Sequence, residues 1–128
     1  MDKKIKFSSG VKWEDIVGYS RAVKIGNRIL ISGTTSIEDG KIIGEGDFYI
    51  QTKTILEKIQ KVLHEAGAKI EDVVRTRMYV TDIKKWEEVG RAHGEFFKNV
   101  KPVTSMVEVN ALVDPAMLVE IEAEALIG

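Results

Sequence analysis

Apolar and polar positions alternate with period two over the first third of the chain, switch to a helical period, and then go through the same exchange again. Residues 3–8 read as a short edge strand. Residues 9–18, with Gly10 and Gly18 among mixed polar residues, read as a loop. Two alternating runs, 19–25 and 28–32, flank Gly26-Asn27, a dipeptide suited to a hairpin turn. A second turn at Asp39-Gly40 lies between 36–37 and 41–43. Over residues 47–66 the period becomes helical. Ile55, Ile59, Val62 and Ala66 form an inner stripe, and Lys53, Glu57, Lys58 and Lys61 form an outer one. Asp47 is placed to cap the N-terminus of that helix and Gly67 to follow its end. Strand character returns at residues 73–80. Asp82 then opens a second predicted helix over about 83–98, with Ile83, Trp86, Val89, His93, Phe96 and Phe97 turned inward. Residues 102–125 read as two strands joined by the Asp114-Pro115 turn. The order is hairpin, helix, strand, helix, strand, strand, which is an α+β layout with two helices on one face of a sheet. Leu30, Val74 and Val107 fall to the other face, and self-association is the economical way to cover it.

The last predicted strand carries the first chemical signal. Glu120, Glu122 and Glu124 share one face, while Val119, Ile121, Ala123 and Ala125 share the other. A ladder of acids on one strand needs solvent or cations. Arg75 and Arg77, two apart on the predicted strand 73–80, are the matching cations, because guanidinium forks pair well with carboxylates. Two uses are open to this set. One is an ion-pair network. The other leaves one Arg or one Glu free for a ligand, where a Glu in a cleft would orient or activate a water.

Composition narrows the classes further. The chain has 128 residues, fitting one domain over 1–128, with 44% hydrophobic and 30% charged residues. The net charge of −1 argues against nucleic acid or an anionic membrane as a partner. There is no cysteine, so disulfides, thiolate metal sites and a Cys nucleophile are excluded. His64 and His93 give no metal-ligand spacing, and no metal is expected. The start of the chain has no apolar core of a secretory signal and no run long enough to span a bilayer, so a cytoplasmic location is expected. No phosphate-binding loop, dinucleotide fingerprint or nucleophile elbow occurs. Trp13 and Trp86 read as core or interface residues.

Several short stretches, in this order and spacing, resemble the RidA/YjgF (L-PSP, Rid) superfamily over nearly the whole chain. They are Gly18-Tyr19, Ile31-Ser32-Gly33, Ala66-Gly67, Tyr79-Val80-Thr81-Asp82, Phe96-Phe97, Pro102, Val107-Glu108-Val109, Leu112 and residues 119–123. The resemblance implies a chorismate-mutase-like fold, a mixed sheet with two helices on one face, and a homotrimer with a barrel-like core and ligand sites in clefts between subunits. It also implies cofactor-free hydrolysis of enamines or imines to a carbonyl product and ammonia. By position, Glu120 would be the catalytic, water-positioning acid, and Tyr19, Ser32, Gly33, Thr104 and Met106 would bind substrate. Thr104 and Met106 depart from the pattern of the deaminase branch, which has Arg and commonly Cys there; Gly90 stands where some members have Asn. This is the pattern of an Arg-less branch. A charge-assisted hydrogen bond contributes about 1.5–3 kcal/mol, so its loss affects both affinity and orientation. Arg75 and Arg77 are candidate substitute cations.

Three functions follow from these readings. The first is a deaminase acting on imines that Thr104 accepts, a hydrolase like the 2-iminobutanoate/2-iminopropanoate deaminases. The second is a non-catalytic or regulatory trimer that binds a small metabolite. The third, RNA cleavage or translation inhibition, is disfavoured by the balanced charge.

Overall fold

The computed structural model describes residues 3–128; Met1 and Asp2, at the start of the stretch read for a leader, lie outside it. The strands are β1 (Lys4–Phe7), β2 (Ala22–Ile25), β3 (Arg28–Thr34), β4 (Ile37–Glu38), β5 (Lys41–Ile42), β6 (Val73–Val80), β7 (Val103–Glu108) and β8 (Val119–Leu126). The α-helices are α1 (Phe48–Glu65) and α2 (Trp86–Phe97), and Glu14–Gly18 forms a short π-helix inside the segment that the sequence reads as a loop. Six strands form one sheet in the order β1-β2-β3-β8-β6-β7, and β4 pairs with β5 in a separate hairpin. Neighbours in the main sheet are antiparallel except β6 and β7, which are parallel. A parallel pair needs a crossover, and α2 supplies it.

The C-terminal segment therefore is not a hairpin. β6 lies between β7 and β8, and residues 109–118 carry the chain past its end. Asp114 does make a turn, with its carboxylate accepting from the Ala116 amide and its carbonyl from the Met117 amide. That turn sits inside the crossing link.

Both helices cover one face. Ile29 and Ile31 of β3, Ile55, Leu56, Ile59 and Leu63 of α1, Val89 and Phe97 of α2, and Val119 and Ile121 of β8 are all buried in one cluster. β8 shows the alternation directly: Val119, Ile121, Ala123 and Ala125 are buried, while the three glutamates between them are partly exposed on the other face. Asp47 caps α1 by accepting from the Ile50 amide, and Gly67 follows the helix with φ of +84°.

The second helix begins later than its sequence pattern predicts. Asp82 caps a single tight turn, Ile83–Lys85, and α2 starts only at Trp86. That turn breaks the 3.6-residue period, so Ile83 is off the buried stripe and 38% exposed. Trp86 is 55% exposed and lies back along its own helix over Gly90. The stripe holds from Val89 onward.

Candidate functional site

A cleft of about 870 Å³ opens where the start of β2, the end of β3, α1 and the start of β8 meet. Its shape begins with a register shift in β3 between Ile31 and Thr34, opposite β8. The shift turns Ser32 and Gly33 out of regular pairing. Gly33 lacks a side chain where Glu120 needs room: a Cβ there would collide with the Glu120 carboxylate. The acid thus sits directly against the main chain of residue 33. Burial raises its pKa above the ordinary carboxylate value; Arg21 opposes this and Glu122 adds to it. Among the described residues, Glu120 makes no hydrogen bond and no ion pair.

Arg21 organises the wall beside it. Its Nη1 donates to the Gly33 carbonyl at 2.8 Å and to Thr34 Oγ1 at 3.0 Å, and its guanidinium lies 5.7 Å from the centre of the Tyr19 ring. Glu14 is the nearest carboxylate to Arg21, at 3.9 Å from Nε. That acid is held by the Ser9 amide and hydroxyl. Burial pushes the Glu14 pKa up, but the Ser9 and Ser8 hydrogen bonds and the Arg21 charge leave it below the usual value. Ser32 spends its hydroxyl on the Ser20 carbonyl at 2.7 Å, so it shapes the wall.

A second cation enters from α1. Lys58 reads from sequence as an outer-face residue, yet it is half-buried. Its Nζ donates to the carbonyls of Thr35 and Ile37 at 2.7 and 2.6 Å, because the chain after β3 crosses that flank of the helix. Burial, together with the neighbouring Arg21, brings its pKa down to about 8, with Glu38 pulling the other way. Trp13, Val17 and Val113 form an apolar lip to the same cleft. Trp13 thus lines the cleft and is not a core residue.

The structure brings Tyr19, Ser32, Gly33 and Glu120 together in this cleft. It does not bring Arg75 and Arg77 there. Both lie on the open face of β6, across from Glu124 and Glu122. Arg77 reaches Glu122 at 3.3 Å and Glu124 at 3.7 Å, Arg75 reaches Glu124 at 3.8 Å, and Arg28 reaches Glu124 at 3.2 Å. The Tyr79 hydroxyl donates to Glu122 at 2.9 Å. The acid ladder is therefore divided: Glu122 and Glu124 are in an ion-pair network, and Glu120 is in the cleft.

Thr104 and Met106 lie at the far edge of the sheet, on β7, outside this chain's own cleft. They face the helices. Met106 packs against the core, and Thr104 Oγ1 is 2.6 Å from Thr76 Oγ1, which is 2.9 Å from His93 Nε2. Burial holds the His93 pKa down at about 4, so the ring is neutral at physiological pH. Among the described residues, no cluster of three or more His, Asp or Glu is arranged to hold a metal.

Sequence reasoning missed Arg21 and Lys58. Arg21 did leave a signal, since it occupies the apolar parity of Tyr19, Val23 and Ile25 in an alternating run. Lys58 left none, because its burial depends on where a distant loop crosses the helix.

Known proteins agree with this fold. The family model described as Endoribonuclease L-PSP matches residues 10–127. An uncharacterised protein of Streptomyces coelicolor is 39% identical over 123 residues, covering 96% of this chain and 92% of the relative. A RutC family protein of Pyrococcus abyssi is 38% identical over 109 residues, covering 84% of each. A crystal structure from Mycobacterium tuberculosis, of a member of the highly conserved YjgF/YER057c/UK114 family, superposes with a TM-score of 0.89 at 49% identity, covering 98% of this chain and 100% of that one. By family match, by relatives and by fold, the chain belongs to the RidA/YjgF/L-PSP superfamily.

Proposed function

We propose that the cleft hydrolyses an imine or enamine, with Glu120 as the general base. The observation that carries this reading is the position of its carboxylate. It is partly buried, has a raised pKa, has no protein partner among the described residues, and lies against a glycine that leaves space for it. A water held there loses a proton to Glu120 as its oxygen bonds to the imine carbon. The proton passes to the nitrogen to give a carbinolamine, the hydroxyl proton follows it to the nitrogen as the C–N bond breaks, and ammonia leaves a carbonyl product. Residues of this chain supply the base and the positioning, and no cofactor enters.

The reading includes assembly as a homotrimer. The sheet's open face carries Val103, Val107 and Leu126, each between 46% and 59% exposed, beside the arginine–glutamate network. A neighbouring subunit would cover this face, and its β7 edge would bring Thr104 and Met106 to the Glu120 cleft.

Thr104 favours a second reading. It stands where the family resemblance places a carboxylate-binding Arg, so this is an Arg-less chain, and a binding module without turnover fits that loss. RNA cleavage is not supported by the cleft, since neither His64, exposed on α1, nor the enclosed His93 lines it. The deciding experiment supplies imines from an amino-acid oxidase and follows their loss with wild type and Glu120→Gln. Turnover abolished by the substitution supports the hydrolase. A ligand that raises the melting temperature without being consumed, with no turnover of any imine, supports the binding module.

A further inference from the structure

We infer that Arg21, with Lys58 beside it, is the anion-recognition pair of the Glu120 cleft, so that its ligand carries a carboxylate and an apolar side chain. The reacting group rests on the hydrolase reading above; the anion site does not.

Three cations, Arg21, Lys58 and Lys61, line the cleft alongside Glu120, Glu38 and Glu65, and neither Arg21 nor Lys58 is hydrogen-bonded to a carboxylate among the described residues. Lys58 is held by main-chain carbonyls, and the Glu14 carboxylate stands 3.9 Å from Arg21 Nε. Arg21 is only 8% exposed and is fixed by its bonds to Gly33 and Thr34. A guanidinium fixed in advance loses little freedom when it binds, which favours a planar anion. Its Nη2 makes no hydrogen bond to the described residues and is left to donate.

Gly33 joins this pair to the reaction site. Its carbonyl accepts from Arg21, and its bare Cα makes room for the Glu120 carboxylate. An anion on Arg21 therefore sits next to the group proposed to activate water. Thr104 offers no equivalent, since it is uncharged and its hydroxyl is engaged with Thr76. The wall across the cleft explains the rest of the ligand. Val17 and Val113 are 68% and 78% exposed and Trp13 is 36% exposed, all at the lip. A three-carbon acid held on Arg21 would leave the apolar lip uncovered. The ligand class is a 2-imino or 2-oxo acid with a branched or extended apolar side chain.

The test measures binding of product-like 2-oxo acids by calorimetry, apart from turnover. The probes are 2-oxoisocaproate, its amide and pyruvate. Wild type is expected to bind 2-oxoisocaproate at least about tenfold more tightly than the amide, and more tightly than pyruvate. Arg21→Gln is expected to lose about tenfold or more for the acid and little for the amide, and Lys58→Met to lose several-fold. Should Arg21→Gln not fold, the acid–amide comparison in wild type and the Lys58→Met result decide. Equal affinity for acid and amide, or no binding at millimolar concentration, overturns the inference. Acid-selective binding without imine turnover leaves the anion site standing and removes only the hydrolase reading.

Discussion

At residue 33 the fold and the chemistry can be separated experimentally. The three atoms nearest to a Cβ at Gly33 all belong to the Glu120 side chain, and the closest is a carboxylate oxygen at the end of that flexible chain. Gly33→Ala should therefore leave the melting temperature nearly unchanged while it displaces the proposed base and cuts imine hydrolysis by about 100-fold, the typical contribution of a positioned base. Equal losses of stability and activity would show that the glycine serves the backbone instead. Glu120 itself should trade stability for function. Its folded pKa is raised, so the charged form is disfavoured in the folded protein at neutral pH, and Glu120→Gln should raise the melting temperature while abolishing turnover. Wild-type activity should fall as pH drops through a value above the ordinary carboxylate range. His93 makes a prediction of the same kind. Its folded pKa of about 4 lies below the usual 6.5, so the unfolded chain binds the extra proton first as pH falls. Stability from the neutral ring is complete above 6.5 and is lost between 6.5 and 4, by about 1–2 kcal/mol after allowing for its partial exposure. His93→Gln should flatten that part of the melting-temperature profile relative to wild type, since other carboxylates titrate in both proteins.

At the scale of elements, local signals decided most of the fold, and long-range pairing decided what they left open. The Asp47 cap, the Ile55, Ile59 and Val62 stripe and the alternation of β8 are all visible in the chain, because each depends on residues a few positions apart. The placement of β6 between β7 and β8 is not visible in this way. An Asp-Pro turn reads the same whether its flanking strands pair with each other or with a third, and only the parallel β6–α2–β7 unit selects the second arrangement. The cleft divides along the same line. Glu120 stood out through strand alternation and the family pattern. Lys58 did not, because one flank of α1 is covered by residues 35–37, more than 20 positions earlier. The cap offers a direct check on α1. Asp47→Ala removes the acceptor of the Ile50 amide and should cost about 1 kcal/mol in chemical denaturation, with the cleft's ligand affinity changed only through the α1 residues that line it, Lys58 among them.

For the whole molecule, the open face of the sheet and the free edge of β7 pose one question. A strand edge with exposed valines is normally covered or blunted by charge, and here the nearest charges are already paired among themselves. Covering this face with a second and third copy would bury Val103, Val107 and Leu126 and leave the Arg75, Arg77, Glu122 and Glu124 network in a drier setting, where its pairing must be complete to be tolerated. The assembly and the chemistry should then fail together. Val107 lies across from Tyr79 of β6, on the edge strand of that face. Val107→Asp would add a fourth acid to the face that carries Glu120, Glu122 and Glu124, with β6 between them, and should convert a trimer in light scattering to smaller species. Imine turnover should drop with it, because a neighbour's β7 edge would no longer close the Glu120 cleft. The Arg21 anion site, built from one chain alone, should keep most of its preference for an acid over its amide. A wild-type monomer at micromolar concentration with full activity would show that one chain completes the cleft, and that Thr104 takes no part in it.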